Sequence, residues 1–208
     1  MVHVSVVVLA LCVSCVLAQP FPCVTPTQLT TRASQYDHLD DVINRYVVVY
    51  DAVNQRRAIF EEQNVVNPGR QFREYLILNN LNVLYEINLT LKTCRRSVPQ
   101  PWRPYGIPPN ATFETEYYIG GPGEQLLAQE WSDRIPYRQR EYWIGAFSVL
   151  NCYPIREVII ANGQVNSTVS TNFYDTVEGI LNPDDFLPPA ECQNATWVKP
   201  DMIKVPRL

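Results

Sequence analysis

Four prolines lie between positions 101 and 109 of this 208-residue chain. Proline lacks a backbone N–H and fixes φ, so neither a helix interior nor a central strand can contain this stretch. The backbone there must cross between regular elements. Because the crossing carries Trp102 and Tyr105, we expect it to pack onto another part of the fold. Gly120, Gly121 and Gly123 follow, and they predict a tight turn before an apolar strand.

Alternation of apolar and polar residues predicts β-strands on both sides of this crossing. A short helix is predicted to begin at Asn182 as its N-cap, with Pro183 in the first turn, and to end before Pro188 and Pro189. Successive strands joined by short turns favour antiparallel sheets. The predicted strands are 46–51, 58–62, 72–78, 83–90, 125–131, 142–150, 155–161 and 165–176, with another near 30–36. The predicted turns are Asn54-Gln55, Asn67-Pro68-Gly69, Asn79-Asn80 and Asn162-Gly163.

The amino terminus has the pattern of a secretory signal peptide. Residues 4–18 are apolar, too short to span a bilayer, and end in small residues. The departure from the pattern is that no Lys or Arg precedes the apolar run, so that only His3 and the amino terminus could supply positive charge. We predict a signal peptide over 1–18 and a single domain over 19–208, with a buried N-terminal strand or helix as the alternative. The mature protein is then secreted and has no transmembrane segment.

The net charge of −4 is too small for a surface that binds polyanions. Nucleic acid is therefore excluded as an expected partner.

Two of the six cysteines, Cys12 and Cys15, lie in the predicted signal peptide. An even number remains in a secreted chain, which predicts disulfide bonds. Their spacings are too wide for a zinc ribbon or a redox motif, and three pairings remain open from the residues alone. The remaining cysteines are Cys23, Cys94, Cys152 and Cys192.

Four Asn-x-Ser/Thr sequons predict glycosylation, and a glycosylated asparagine must face solvent. Alternation along the strand at 83–90 then places Leu84 and Glu86 outward with Asn88. In the strand at 165–176 it places Thr168 outward, and Val169 and Phe173 inward. The sequons are Asn88, Asn110, Asn166 and Asn194.

The sequence contains no familiar catalytic set. His38 is the only histidine of the predicted mature chain, and it lies in a polar turn. No Gly-x-Ser-x-Gly surrounds a serine, and Gly120 to Gly123 lack the Gly-Lys-Ser/Thr of a phosphate loop. Neighbouring carboxylates such as Asp184 and Asp185 suit a helix N-terminus without a ligand, and no EF-hand loop occurs. We predict that the protein is not an enzyme and requires no cofactor; a hydrolase is the third-ranked alternative.

An ordered set of motifs resembles the ependymin family of secreted glycoproteins. The resemblance covers nearly the whole predicted mature chain. Its motifs are Phe72-Arg-Glu-Tyr-Leu, Gln100-Pro-Trp, Ile107-Pro-Pro-Asn-Ala-Thr-Phe-Glu, Tyr118-Ile-Gly-Gly-Pro, Gln129-Glu-Trp-Ser-Asp-Arg, Trp143-Ile-Gly, Cys152-Tyr-Pro and Phe186-Leu-Pro-Pro-Ala-Glu-Cys.

The resemblance implies a fold and a function. The fold is mostly β: two stacked, curved antiparallel sheets form a half-open sandwich around a hydrophobic pocket, similar to bacterial lipoprotein-carrier proteins, with one or two short helices. The function is that of a carrier of lipid or another hydrophobic molecule, dimeric and secreted or lysosomal. The family's association with calcium and cell–matrix adhesion gives the alternative function. The implied disulfides are Cys23–Cys152 and Cys94–Cys192.

The candidate ligand pocket is chosen by strand face and by the central aromatic block. An ordinary sandwich core accounts for the same apolar residues, and only the resemblance favours a pocket. The predicted pocket residues are Val83, Tyr85, Ile87, Leu127, Trp131, Trp143, Phe147, Val169 and Phe173. The residues that would hold a metal are unknown.

Overall fold

The structure is a computed structural model that describes residues 20–65, 70–134, 142–160 and 167–206. Antiparallel strands dominate it, as predicted. The strands are β1 (Gln28–Asp37), β2 (Val42–Asp51), β3 (Arg56–Gln63), β4 (Gln71–Leu78), β5 (Val83–Asn88), β6 (Thr93–Ser97), β7 (Thr112–Ile119), β8 (Leu126–Ser132), β9 (Trp143–Ser148), β10 (Pro154–Ile160), β11 (Thr168–Glu178) and β12 (Thr196–Trp197). Short 3₁₀ helices span Asn79–Leu81, Pro183–Phe186, Ala190–Asn194 and Pro200–Met202.

All twelve strands form one open sheet with the order β12-β6-β5-β4-β3-β2-β1-β11-β10-β9-β8-β7. Two meanders of consecutive antiparallel strands, β1 to β6 and β7 to β11, meet where β1 pairs with β11. The short β12 adds a parallel pair to β6. The predicted fold class is confirmed, and the two expected sheets are the two halves of this continuous sheet.

The sheet curls so that its two halves face each other. The ring of Tyr105 lies 6.3 Å from that of Tyr50 on β2 and 6.4 Å from that of Phe147 on β9. Four strand spacings separate β2 from β9, roughly 19 Å in a flat sheet. One ring can contact both strands only because the sheet is strongly curved.

Both faces of the β1 to β6 half carry a core. We call the face with Tyr46, Val48, Ile59 and Tyr75 the inner face; these residues form one buried cluster with Phe173. The outer face carries a second buried cluster, to which the segment after β11 contributes Phe186. Members of this cluster on the sheet include Val49, Ala58, Leu76 and Ile87.

The second core corrects a prediction about strand faces. Leu84 and Glu86 do share a face with Asn88, as alternation requires. That face is the inner one, however, and Leu84 is 3% and Glu86 5% exposed. The prediction that both face solvent is wrong, because a strand covered on both sides has no solvent face.

The 3₁₀ segment beyond Asn182 replaces the predicted helix. The Asn182 side chain caps it by accepting a hydrogen bond from the backbone N–H of Asp184 at 3.3 Å, and Pro183 opens it, as predicted. Only one 3₁₀ turn follows before the chain extends at Leu187. Asp184 and Asp185 lie in that first turn.

Two disulfides join distant parts of the chain with the pairing implied by the resemblance, Cys23–Cys152 and Cys94–Cys192. The first ties the N-terminal lead-in, which is the segment 20–27 before β1, to the segment that follows β9. The second ties β6 to the 3₁₀ helix Ala190–Asn194.

Some predictions lie outside the described residues. These are the signal peptide at 1–18, the turns at 67–69 and 162–163, and the sequon at Asn166. Among the described residues, no helix is long and apolar enough to cross a membrane.

Candidate ligand-binding face

The proline-rich crossing between β6 and β7 lies over the inner face. The backbone N–H of Tyr105 donates a hydrogen bond to the Tyr50 hydroxyl at 3.0 Å, and its ring lies 5.8 Å from that of Phe173. Trp102 stacks on Tyr50 at 5.5 Å. The sequence-based expectation that the two aromatic residues of the crossing pack onto the fold is confirmed.

Two further irregular segments help to cover the same face. Ile203 is buried in the inner-face cluster, and Val198 and Val205 pack against that cluster. At the other end of the chain, Cys23 packs with the aromatic cluster around Trp131. Irregular chain, and not a second hydrogen-bonded sheet, therefore covers the apolar centre of the inner face.

A small apolar cavity remains under the crossing. Its free volume is about 20 Å³, which is room for roughly one water molecule. Tyr105 of the crossing packs against the inner-face cluster together with Val198 and Val205 from the C-terminal segment. The described residues that line the cavity are Leu29, Thr31, Val48, Tyr50, Arg57, Tyr105 and Phe173.

Arg57 introduces a charge into this apolar site. Its guanidinium carbon lies 5.6 Å from the centroid of the Trp102 ring, within range of a cation–π interaction. Burial lowers the pKa of Arg57, while Tyr50 and Glu157 act in the opposite direction. Alternation along β3 directs Arg57 inward and Arg56 outward, where Arg56 pairs with Asp51 at 2.8 Å.

Glu157 on β10 is the buried carboxyl group of the opposite half. The Trp143 Nε1–H donates a hydrogen bond to its Oε1 at 2.6 Å. Burial raises the pKa of Glu157 to about 7, although Trp143 and the charge of Arg57 act to lower it. The side chain is then partly protonated near neutral pH, which is unusual for a carboxyl group.

A polar network around Glu61 and Glu86 lies beside the apolar centre of the inner face. Glu61 accepts hydrogen bonds from the hydroxyls of Tyr46 and Tyr75, both at 3.1 Å. Glu86 pairs with Arg73 and Arg95. Each buried carboxylate has partners here, as buried charges require.

The structure divides the predicted pocket residues between the two faces. Val83, Tyr85 and Ile87 belong to the outer-face cluster, on the far side of the sheet from the cavity. Of the predicted pocket residues, Phe173 is the one among the described residues that line the cavity. The predicted residues that alternation and register place on the inner face are Leu127, Trp131, Trp143, Phe147, Val169 and Phe173.

Sequence reasoning missed most of the cavity lining. Tyr50 and Val48 were within a predicted strand and alternate with Tyr46, so their shared face could have been found. Arg57 carries no such signal, because an arginine on a strand is ordinarily assigned to solvent.

Two of the described sequons, Asn110 and Asn194, are exposed. Asn88 is half-buried, and its Oδ1 accepts hydrogen bonds from the backbone N–H groups of Thr90 and Leu91 at 3.1 and 2.9 Å. The Nδ2 atom, which would carry a glycan, takes no part in these bonds. Glycosylation remains a prediction.

No group of three His, Cys, Asp or Glu residues that could hold a metal ion occurs within the described ranges. His38, the candidate excluded from chemistry on sequence grounds, packs edge-on against Tyr36 with ring centroids 4.4 Å apart. Calcium binding stays a prediction.

Comparison with known proteins finds a family whose members are similar to this chain in sequence. The family model Ependymin matches residues 67–192. The chain is 39% identical over 186 residues to mammalian ependymin-related protein 1 of Rattus norvegicus, covering 89% of this chain and 81% of that protein. It is 40% identical over 180 residues to the Mus musculus protein of the same name, covering 86% and 80%. Ependymin of Notemigonus crysoleucas is 26% identical over 119 residues, covering 55% and 53%.

Solved structures that align with this chain are much less similar to it in sequence. An uncharacterized conserved protein from Thermus thermophilus aligns with a TM-score of 0.49 and 12% identity, covering 84% of this chain and 90% of that one. A LolA superfamily protein from Nitrosomonas europaea aligns with a TM-score of 0.43 and 11% identity, covering 79% and 91%.

Proposed function

Because the chain belongs to the ependymin family, we propose that it is a secreted, non-enzymatic glycoprotein that binds a lipid or another hydrophobic molecule on the inner face of its curved sheet. The observation that carries the proposal is the apolar centre of that face, which irregular segments cover. Segments without a hydrogen-bonded ladder open locally at lower free-energy cost than a paired strand.

The ligand displaces part of the irregular segments that cover the inner face; we call these segments the cover. Pockets for small molecules measure roughly 300 to 1,000 Å³, and the free volume under the crossing is about 20 Å³. To enter at this cavity, a lipid chain must therefore move the ring of Tyr105 and its neighbours off the inner face. The apolar contacts that they give up are replaced by contacts to the ligand.

The first experiment is extraction of lipids from the purified protein, followed by mass spectrometry. A displacement titration with a fluorescent fatty acid then measures affinity. We expect a co-purifying hydrophobic molecule and saturable displacement.

The Tyr105→Ala variant tests the place of binding. Removing this ring should enlarge the cavity and strengthen binding of the fluorescent fatty acid by about tenfold, because part of the cover no longer has to be displaced. Tyr85→Ala is the matched control, since Tyr85 packs on the outer face. Equal effects of the two substitutions, or no saturable binding by any form, contradict the proposal.

A calcium-associated adhesion glycoprotein is the second candidate. The exposed positions of Asn110 and Asn194 favour it, because glycans there would reach solvent freely. Calcium titration before and after enzymatic deglycosylation separates the alternatives. Binding that vanishes with the glycans supports this candidate; stoichiometric binding by the bare polypeptide contradicts the glycan version.

Assembly into a homodimer and a lysosomal location are carried over from the resemblance. The exposed edge strand β7, with Tyr118 60% exposed, is available for a partner copy. Light scattering on the purified protein measures the oligomeric state, and organelle fractionation measures the location.

A further inference from the structure

A loop that is fixed at both ends crosses the outer face; we call this segment, residues 179–191, the strap. It follows β11 directly, and the next residue after it, Cys192, is bonded to Cys94 on β6. Beyond its first residue, its backbone hydrogen bonds in the described chain are internal, such as the one from the Leu187 N–H to the Asp184 carbonyl at 2.9 Å. Backbone pairing therefore does not hold the middle of the strap to the sheet.

Phe186 anchors the middle of the strap. It is the buried side chain of this segment, at 3% exposed, whereas Leu181 and Leu187 on either side of it are exposed. The guanidinium carbon of Arg56 lies 4.0 Å from the centroid of the Phe186 ring, and Arg56 also pairs with Asp51. Because the pKa of Asp51 is about 2, this contact keeps its charges at neutral pH.

Glu74 on β4 places a carboxyl group beside the anchor. Its partners in sheet register are Phe60 and Ile87, and both lie in or against the outer-face cluster that contains Phe186. Glu74 is 9% exposed. Burial and the charge of Asp185, the strap residue before Phe186, raise the pKa of Glu74 to about 7, and no described cation acts to lower it.

Other charged groups on the outer face already have partners. Arg56 and Glu62 on β3 each form an ion pair away from Glu74. The further charged or titratable groups on the outer face of the elements around Glu74 are Arg45 and Asp51 on β2, Tyr85 on β5, Arg96 on β6 and Asp184 in the strap.

We propose that the strap is a pH-operated flap, which lies on the outer face while Glu74 is protonated and lifts from the sheet when Glu74 ionises opposite Asp185. A neutral acid tolerates burial there, whereas a carboxylate would face a like charge in surroundings that hydrate it poorly. Lifting hydrates Glu74 and releases its proton to solvent, so a rising pH favours the lifted form. Acidic surroundings would thus keep the apolar outer face covered, and neutral ones would expose it.

Thiol labelling measures how often the strap lifts. Ala58 on β3 is fully buried in the cluster of Phe186, so that the thiol of Ala58→Cys reacts only when the outer face opens. Ala33→Cys is the matched control, because Ala33 is equally buried in the inner-face cluster. At pH 8 we expect Ala58→Cys to react at least about tenfold faster than Ala33→Cys, with little effect of dilute urea, since lifting exposes less surface than unfolding.

A comparison of two pH values tests the trigger. After correction for the ionisation of a free thiol, labelling of Ala58→Cys should accelerate about tenfold between pH 5.5 and pH 8. Adding Glu74→Gln should remove this acceleration, and adding Asp185→Asn should reduce it, because burial still acts on Glu74. Glu124→Gln is the control, since Glu124 is exposed in the turn between β7 and β8.

Hydrogen exchange gives a second readout in the unaltered protein. The N–H of Leu187 is bonded within the docked strap, and the N–H of Val198 is bonded to the Arg96 carbonyl beyond it. After correction for the intrinsic exchange rate, protection of Leu187 should fall more steeply than that of Val198 between pH 5.5 and pH 8.

Three results would overturn the inference. They are equal labelling of the two thiols at pH 8, an acceleration that Glu74→Gln leaves intact, and protection of Leu187 that does not change with pH. The exchange measurement decides the question even if Ala58→Cys does not fold. The outcome is independent of ligand binding on the inner face, so the flap and the proposed function can fail separately.

Discussion

Gly145 shows how closely the inner face is packed at the level of a single residue. A Cβ atom built on Gly145 would overlap the Trp143 ring and would lie 2.8 Å from Cε2 of Phe147. Trp143 also donates the hydrogen bond to Glu157. The absence of a side chain at Gly145 therefore allows two large rings to pack on the same face of β9.

Gly145→Ala should lower the free energy of unfolding by about 1 to 3 kcal/mol, because both rings must shift. Gly121→Ala is the matched control, since no atom lies within 4 Å of a Cβ placed there. Urea denaturation of both variants checks this prediction. A Gly145→Ala protein as stable as the Gly121→Ala protein contradicts it.

Two buried carboxyl groups, Glu74 and Glu157, make the stability depend on pH near neutrality. Burial raises the pKa of Glu74 to about 7, and nearby Asp185 adds to the shift; Glu157 has a similar value. Between the ordinary glutamate pKa of 4.5 and about 7, the folded protein holds protons that the unfolded chain releases. Its free energy of unfolding therefore falls as the pH rises through this window.

We expect the protein to be more stable at pH 5 than at pH 8, with each buried glutamate contributing on the order of 2 kcal/mol. Glu74→Gln should flatten the pH dependence in this window, and the exposed Glu124→Gln should not. Denaturation curves at the two pH values provide the measurement. Greater stability of the wild type at pH 8 would falsify the assignment.

Asp51 acts in a different pH window. Burial alone would raise the pKa of Asp51, but hydrogen bonds from Asn54, Gln28 and Arg56 outweigh it and lower the pKa to about 2. The stabilisation from these contacts is present above pH 3.8 and is lost as the pH falls toward 2. Unfolding below pH 4 thus reports on Asp51 and not on the buried glutamates.

At the scale of elements, the strands that the sequence predicted are those with clear alternation and clear turns. β2 begins four residues earlier than predicted, at Val42, but Tyr46, Val48 and Tyr50 alternate as expected. The Gly120 to Gly123 turn joins β7 to β8, where Gly120 has a φ of 95°. That backbone conformation favours glycine.

The sequence did not predict β6, β7 or β12, and the structure shows why for the last two. β7 is an edge strand whose charged and aromatic side chains are mostly half-exposed, so it lacks an apolar period. β12 has two residues and exists only because β6 is beside it. Phe186 packs on the outer face in the same cluster as the Cys94–Cys192 disulfide, and contacts between segments this far apart in sequence leave no local pattern.

The Cys23–Cys152 disulfide restrains the cover of the inner face. The lead-in that carries Cys23 also carries Thr25, which packs tightly against Gly106 of the crossing: a Cβ on Gly106 would lie 2.7 Å from the Thr25 hydroxyl. The disulfide thus holds the lead-in, and the lead-in lies against the crossing.

Replacing Cys23 and Cys152 together by serine should cost about 2 to 5 kcal/mol of stability. It should also increase hydrogen exchange in residues 100–111 and accelerate ligand uptake. The Cys94→Ser/Cys192→Ser protein is the control, with increased exchange expected around Ala190–Asn194 instead. If both double variants loosen the same segment, the two disulfides do not have separate roles.

At the scale of the whole molecule, the pairing of β1 with β11 is the one sheet contact that joins the two meanders in the described chain. Its partners are far apart in sequence, as with Ala33 and Phe173. Every other antiparallel pair joins strands that are consecutive in the chain. The two halves of the inner face therefore depend on this one long-range pairing of described strands for their alignment.

This arrangement sets an order of assembly. Hairpins close over short loops within microseconds, whereas pairing across more than a hundred residues carries a larger loop-closure entropy. Each meander should form first, and the two should then dock along β1 and β11. Phe173→Leu would mainly accelerate unfolding, while Ile77→Val within the first meander would mainly slow refolding. The inner face would consequently be the last part of the molecule to form, and it would stay open to solvent until docking is complete. A ligand of the proposed kind would then have a route in during biosynthesis that needs no displacement of the crossing.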